Sequence, residues 1–169
     1  MVAPARSKIG KAEVGMDTAR DHENDFIGWT ESQAAILKCM PRGSFGLDTD
    51  NLAEEIADLG RSEIRETSSL LRQVLAHLVK LAAQPCSEPA DHWIEEILAL
   101  QGDAVLACTP GIRQRMDMPR IWELAANAAA RSLLRHGVRL DNLTCPFSLE
   151  ELLVTDFDPV AAAEKLAVR

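Results

Sequence analysis

The chain has 169 residues, enough for one domain that builds its own core. Its net charge of −8 argues against non-specific contact with phosphate backbones or anionic lipid. It contains no apolar run of the roughly 18 residues that a membrane helix needs.

Ala and Leu dominate, Tyr is absent and β-branched residues are sparse, so helix is the favoured state. Residues 1–20 show no period and read as a mobile N-terminal tail; residues 21–169 read as a single helical domain. The first helix is predicted from Asp21 to Met40, with Asp21, Glu23 and Asp25 at its positive end. Phe26, Trp29, Gln33, Ile36, Leu37 and Met40 recur at three- and four-residue steps and make its predicted inner face. Pro41 and Gly43 end it, and Phe45 of the following PRGSFG loop is expected to tuck against the core.

Asp50 or Asn51 caps the second helix, with Glu54 at capping-box spacing and Leu52, Ile56 and Leu59 as its apolar edge. Gly60 predicts a break or kink, after which Ser62 can cap a fresh segment. That segment carries Ile64, Thr67, Leu71, Val74, Leu75, Leu78 and Leu81 as one stripe and stops before Pro85. A further helix spans Ala90 to Cys108, with Trp93, Ile94, Ile97, Leu98 and Val105 inside. Thr109 and Pro110 open a short helix, PGIRQRMDM, that Pro119 interrupts. The last long helix runs from Pro119 to His136, with Gly137 at its end. After a loop from Val138 to Pro146, Ser148 with Glu151 caps SLEELL, and Asp158 caps PVAAAEKLA. The fold class is therefore all-α: an up-and-down bundle of four longer helices with short C-terminal helices.

The strings DFIGWTESQAAIL, NLAEEIADLGRSEIRE, LLRQVLAHLVKLAAQP and CPFSLEELLVTDFDP together resemble a bacterial family known as domain of unknown function 29. The resemblance covers about Asp25 to Pro159. It implies an all-helical, soluble bacterial protein and supplies no catalytic residues. The chain departs from the family pattern at Ile27, where Tyr is expected, and at Leu81, where Trp is expected.

Chemistry-bearing motifs are few. The Gly43-Ser44-Phe45-Gly46 string is not a nucleophile elbow, and no phosphate-cradling Gly-rich loop exists. None of the four His follows a Glu by three positions, so a di-metal carboxylate bundle is not supported and no metal or cofactor is expected. Four single cysteines without a CxxC pair, and an N-terminal stretch without the continuous apolar core of a secretory signal, lead us to expect reduced thiols in the cytoplasm.

Three constellations remain. His77 shares the apolar stripe with Leu70, Val74 and Leu81, and reads either as a core histidine or as the centre of a ligand or enzyme site, with Gln33 as a possible partner. The mixed-sign cluster around Glu54 and Glu55 reads as a solvated face or as a docking surface for a basic partner. Arg131 and Arg135, with Arg113 and Arg139 on either side, form a candidate basic ridge. The leading reading is a non-enzymatic protein-interaction module that binds another protein. A homodimer along the Ala-rich helix is a second partner reading. The first alternative is a nucleic-acid-linked accessory protein using the Arg113–Arg139 ridge, against the chain's acidity. The second is a binder or enzyme centred on His77.

Overall fold

The computed structural model describes residues 22–140 and 143–166. Polar caps set most of its helix starts, because a side-chain oxygen takes a backbone N–H that the first turn leaves open. Asp25 caps α1 (Phe26–Cys39), Asp48 caps α2 (Thr49–Ala83) and Thr109 caps α4 (Pro110–Arg113). Asp117, Ser148 and Asp158 do the same for α5 (Met118–Leu134), α6 (Leu149–Leu152) and α7 (Pro159–Glu164). Among the described residues α3 (Ala90–Ala107), after Pro89, and the short 3-10 turn Ser44–Gly46, after Gly43, start without such a bond. The fold is all-α, with four longer helices and short ones, as the sequence predicts.

The reading of residues 1–20 as a tail, and the start at Asp21, lie outside the described residues. Residues 22–24 form a separate helical turn, and α1 proper begins at Phe26 because Asp25 takes the cap. The cap of α2 is Asp48, two residues ahead of the Asp50 expected, and its carboxylate accepts from the Asn51 N–H at 3.3 Å. The Ser148–Glu151 capping box forms as its spacing requires, with both bonds made at 2.8 and 3.2 Å. Gly137 takes a φ of +78° and closes α5, with the Val138 N–H reaching the Leu133 carbonyl.

The long helix α2 is the hub. At 35 residues it is continuous, spanning about 52 Å at 1.5 Å per residue, and α1, α3, α4, α5 and α7 all pack on it. The kink expected at Gly60 does not occur. Gly60 is buried, and a Cβ there would collide with Thr30 Oγ1 of α1. The glycine is a contact point between helices rather than a breaker of one.

The predicted inner face of α1 is rotated. The buried residues are Ile27, Thr30 and Ala34, while Ile36 is 49% exposed. Thr30 packs on Gly60, and Ala34 and Ala53 are also buried, so the two helices approach closely where a side chain at Gly60 would prevent it. Leu52 and Leu59 of α2 consequently stand out at 39% and 54% exposure. Phe45 does not tuck in either: it is 93% exposed, with φ at +54°.

The main core lies around the C-terminal half of α2, where Leu71, Val74, Leu75, Leu78 and Val79 are fully buried with Ile97, Ala125, Ala129 and Leu152. Leu98, expected inside, is exposed, and Gln101 is buried instead. Its amide donates to the carbonyls of Leu152 and Val154 at 3.0 and 2.8 Å, tying the end of α6 to α3. A smaller cluster of Ile27, Cys108 and Ile112, joined by Ile64 and Met116, pins α4 to the α1–α2 pair.

Candidate functional sites

His77 sits at the seam between α2 and α3, with 16% of its side chain exposed. Its Nε2 lies 3.1 Å from Glu96 Oε2, and the other Glu96 oxygen lies 3.4 Å from His92 Nε2. The two imidazoles thus share one carboxylate. His77 Nδ1 is buried with no hydrogen-bond partner. Burial holds the His77 pKa below its ordinary value, with Lys80 and His92 adding to the effect and Glu96 opposing it. A neutral ring whose Nε2–H faces Glu96 suits this setting. Protonating Nδ1 would leave a buried N–H with nothing to accept it.

Gln33 is not part of this cluster. Thr30 packs on Gly60, and His77 lies 17 positions further along α2, about 25 Å at helical rise. Among the described residues no group of three His, Cys, Asp or Glu side chains is placed to hold a metal ion. The four cysteines are free; Cys108 and Cys145 have their thiols pushed up by burial, the direction opposite to nucleophile activation. The surface depressions lined by Phe147, Phe157 and Lys165, and by Trp122, Ala126 and Leu143, do not reach His77.

The arginines are spread over α4, α5 and the segments that follow them. Arg131 and Arg135 are exposed and one turn apart at the end of α5. The chain then reverses at Gly137, so Arg139 lies beyond the helix. Arg115 is bound to Glu31, with its Nε 2.9 Å from Oε1, and Arg120 is paired with Glu123 at 2.6 Å.

The α1–α2 pair projects as an arm, and its two sides differ. One side is covered: Gly111 and Arg115 lie against Asp25, Ile27 and Glu31 of α1, and Met116 meets Ser68 of α2 and joins the Ile64 cluster. Helical periodicity places Trp29, Gln33, Ile36 and Met40 of α1 on the other side, together with Leu52, Ile56 and Leu59 of α2. Those residues are half-buried or exposed. Trp29 stacks on Phe26 at 5.9 Å, and His22 meets both rings edge-on. Glu55, Glu63 and Glu66 are exposed on α2 along the margin of this open side. Glu54, one position before Glu55, points away from it.

The sequence places Phe26, Trp29, Gln33, Ile36, Leu37 and Met40 on one inner face; Phe26 does pack against the Ile27, Cys108 and Ile112 cluster, whereas Ile36 stands exposed. The signal that could have placed Ile36 was the other, smaller stripe of α1, whose Thr30 packs on Gly60. The buried Gln101 gave no signal, since glutamine in a helix is ordinarily solvated.

A family model described as "Domain of unknown function DUF29" matches residues 22–158 of the chain. The crystal structure of an alpha-helical protein of unknown function from Rhodospirillum rubrum is similar over 85% of this chain and 96% of that one. The two share 28% sequence identity, with a TM-score of 0.73. No curated protein matches. No helix among the described residues is long and apolar enough to cross a membrane.

Proposed function

We propose that this chain, which belongs to the DUF29 family, is a non-enzymatic module that binds another protein through the open side of its α1–α2 arm. One observation carries the reading. Ile36, Leu52 and Leu59 are 49%, 39% and 54% exposed, on the side of the helix pair where, among the described residues, His22 lies against Trp29. The arm is held together by small residues, so its large apolar side chains are left for a partner. Grouped exposed apolar residues of this kind mark association surfaces, whereas single ones do not. The described depressions are lined by other residues than His77, Glu96 and His92, so they lend the His77 cluster no support as a catalytic centre.

The test compares the tagged chain with a Leu52→Asp/Leu59→Asp variant, each shown to be helical by circular dichroism, in affinity capture after nuclease treatment. A protein recovered in stoichiometric amount by the parent and lost with the variant is the expected result. An identical set from both, or recovery only of nuclease-sensitive material, would overturn the reading.

A further inference from the structure

Resting on that reading, we infer that the occupant of the arm's open side is an amphipathic helix with a basic flank, supplied by a partner protein. The geometry favours a helix. Both walls of the open side are helices whose backbone N–H and C=O groups are already bonded, so the arm offers no edge to an extended peptide. An arriving segment must satisfy its own backbone and bring side chains to the groove between α1 and α2. An amphipathic helix does both, with apolar residues at i, i+3, i+4 and i+7, and it would turn the two-helix arm into a three-helix bundle. The stripe from Trp29 to Met40 covers 11 helical steps, about 16 Å, which matches three turns of such a helix.

Charge decides the flank. The α1 margin carries no charge on this side: Trp29, Gln33, Ile36 and Met40 are all neutral. The α2 margin carries Glu55, Glu63 and Glu66, and none of the three is in an ion pair among the described residues. The cations of the arm are directed elsewhere. Arg61 is bound to Asp58 and Arg42 to Asp50; Lys38, two turns after Glu31, lies on the covered side of α1, and Arg65 lies on the opposite flank of α2. A partner helix with Lys or Arg along one edge therefore meets uncompensated carboxylates, while an acidic one is repelled. A second copy of this arm would bring the same three carboxylates and no cation on the contacting side. An anionic lipid surface would be repelled for the same reason.

The experiment uses the full chain and three synthetic 18-residue helical peptides that share one leucine ridge. Their polar faces are lysine, glutamine or glutamate. Binding is read by fluorescence anisotropy of the labelled peptides and by calorimetric stoichiometry. The lysine peptide should bind one to one, at least tenfold tighter than the glutamate peptide. Leu52→Ala/Leu59→Ala should weaken it tenfold or more. Glu55→Gln/Glu63→Gln/Glu66→Gln should reduce both its affinity and its dependence on salt, and circular dichroism should show both variants folded. Equal binding of all three peptides, lost on the leucine substitutions, would overturn the basic flank while leaving the arm as a docking surface. Binding of the lysine peptide that ignores the leucine substitutions would overturn the arm reading itself. A chain that sediments as a dimer, and as a monomer after Leu59→Asp, would assign the open side to a second copy and overturn the inference.

Discussion

His77 carries the clearest single-residue consequence of the structure. Its folded-state pKa lies below the ordinary value because the ring is buried and Lys80 stands near, with Glu96 opposing and His92 adding. The unfolded chain therefore binds a proton at His77 at a higher pH than the folded one does. The contribution is fully present above the unfolded value, near 6.5, and is lost as pH falls from there through the folded value. We expect stability to urea to fall between pH 7 and pH 5.5, and His77→Gln to flatten that slope; equal slopes for parent and variant would show that the imidazole is solvated. Phe45 carries a second consequence. A bulky residue at φ +54° in an exposed turn is strained and has no packing to offset it. Asn tolerates that conformation, so Phe45→Asn should raise stability by about 0.5–1 kcal/mol. A loss instead would mean that the ring is packed. The sequence showed His77 on the buried stripe but could not show Glu96 opposite it, because that pairing is set by how α2 and α3 dock and not by local spacing. It gave Phe45 the wrong place because hydrophobicity alone pointed inward, while the run Gly43, Phe45 and Gly46 at positive φ turns the side chain out.

At the scale of elements, the contact of α1 with α2 turns on Gly60. Ala is better than Gly by about 1 kcal/mol in a helix interior, so propensity alone predicts that Gly60→Ala stabilises. The structure predicts the opposite sign. The added Cβ would displace Thr30 Oγ1, which donates to the Ile27 carbonyl at 2.8 Å inside the contact. Overpacking of this kind costs about 1–3 kcal/mol. Gly60→Ala should therefore lower the melting temperature, and Thr30→Ala in the same chain should recover most of the loss, because the colliding hydroxyl is gone. A more stable Gly60→Ala single variant would show that the helices are further apart than described. The same contact explains which parts of the elements were legible. In the C-terminal half of α2 the apolar stripe from Leu71 to Leu81 is the only one available, and periodicity reads it correctly. In α1 two stripes are present, one of large residues and one of small, and periodicity cannot choose between them. Only the small residues fit against a buried glycine, and that is a property of the pair of helices.

For the whole molecule, one continuous helix serves two regions of unequal strength. The C-terminal half of α2 is surrounded by α3, α5 and α7 and buries Leu71, Val74, Leu75, Leu78 and Val79 completely. Its N-terminal half buries Thr49, Ala53 and Gly60, and there its cover comes mainly from α1, with α4 reaching Ile64. A helix draws most of its stability from packing of its apolar face, and isolated segments of 12 to 15 residues are marginal, by the usual rough measure. The arm should therefore open without the core. In native-state hydrogen exchange, amides of residues 52–62 should exchange through a local opening of lower free energy than those of residues 71–81, although both belong to one helix. Saturation with the lysine-faced peptide should slow exchange in 52–62 and leave 71–81 unchanged, because a ligand protects the state it binds in proportion to its affinity. Uniform protection along α2 would place the arm in the same cooperative unit as the core. Its exposed leucines would then be features of a rigid surface, and a docking helix would add contacts without ordering anything. With graded protection, the proposed docking helix would order the arm by completing a three-helix bundle with α1 and α2.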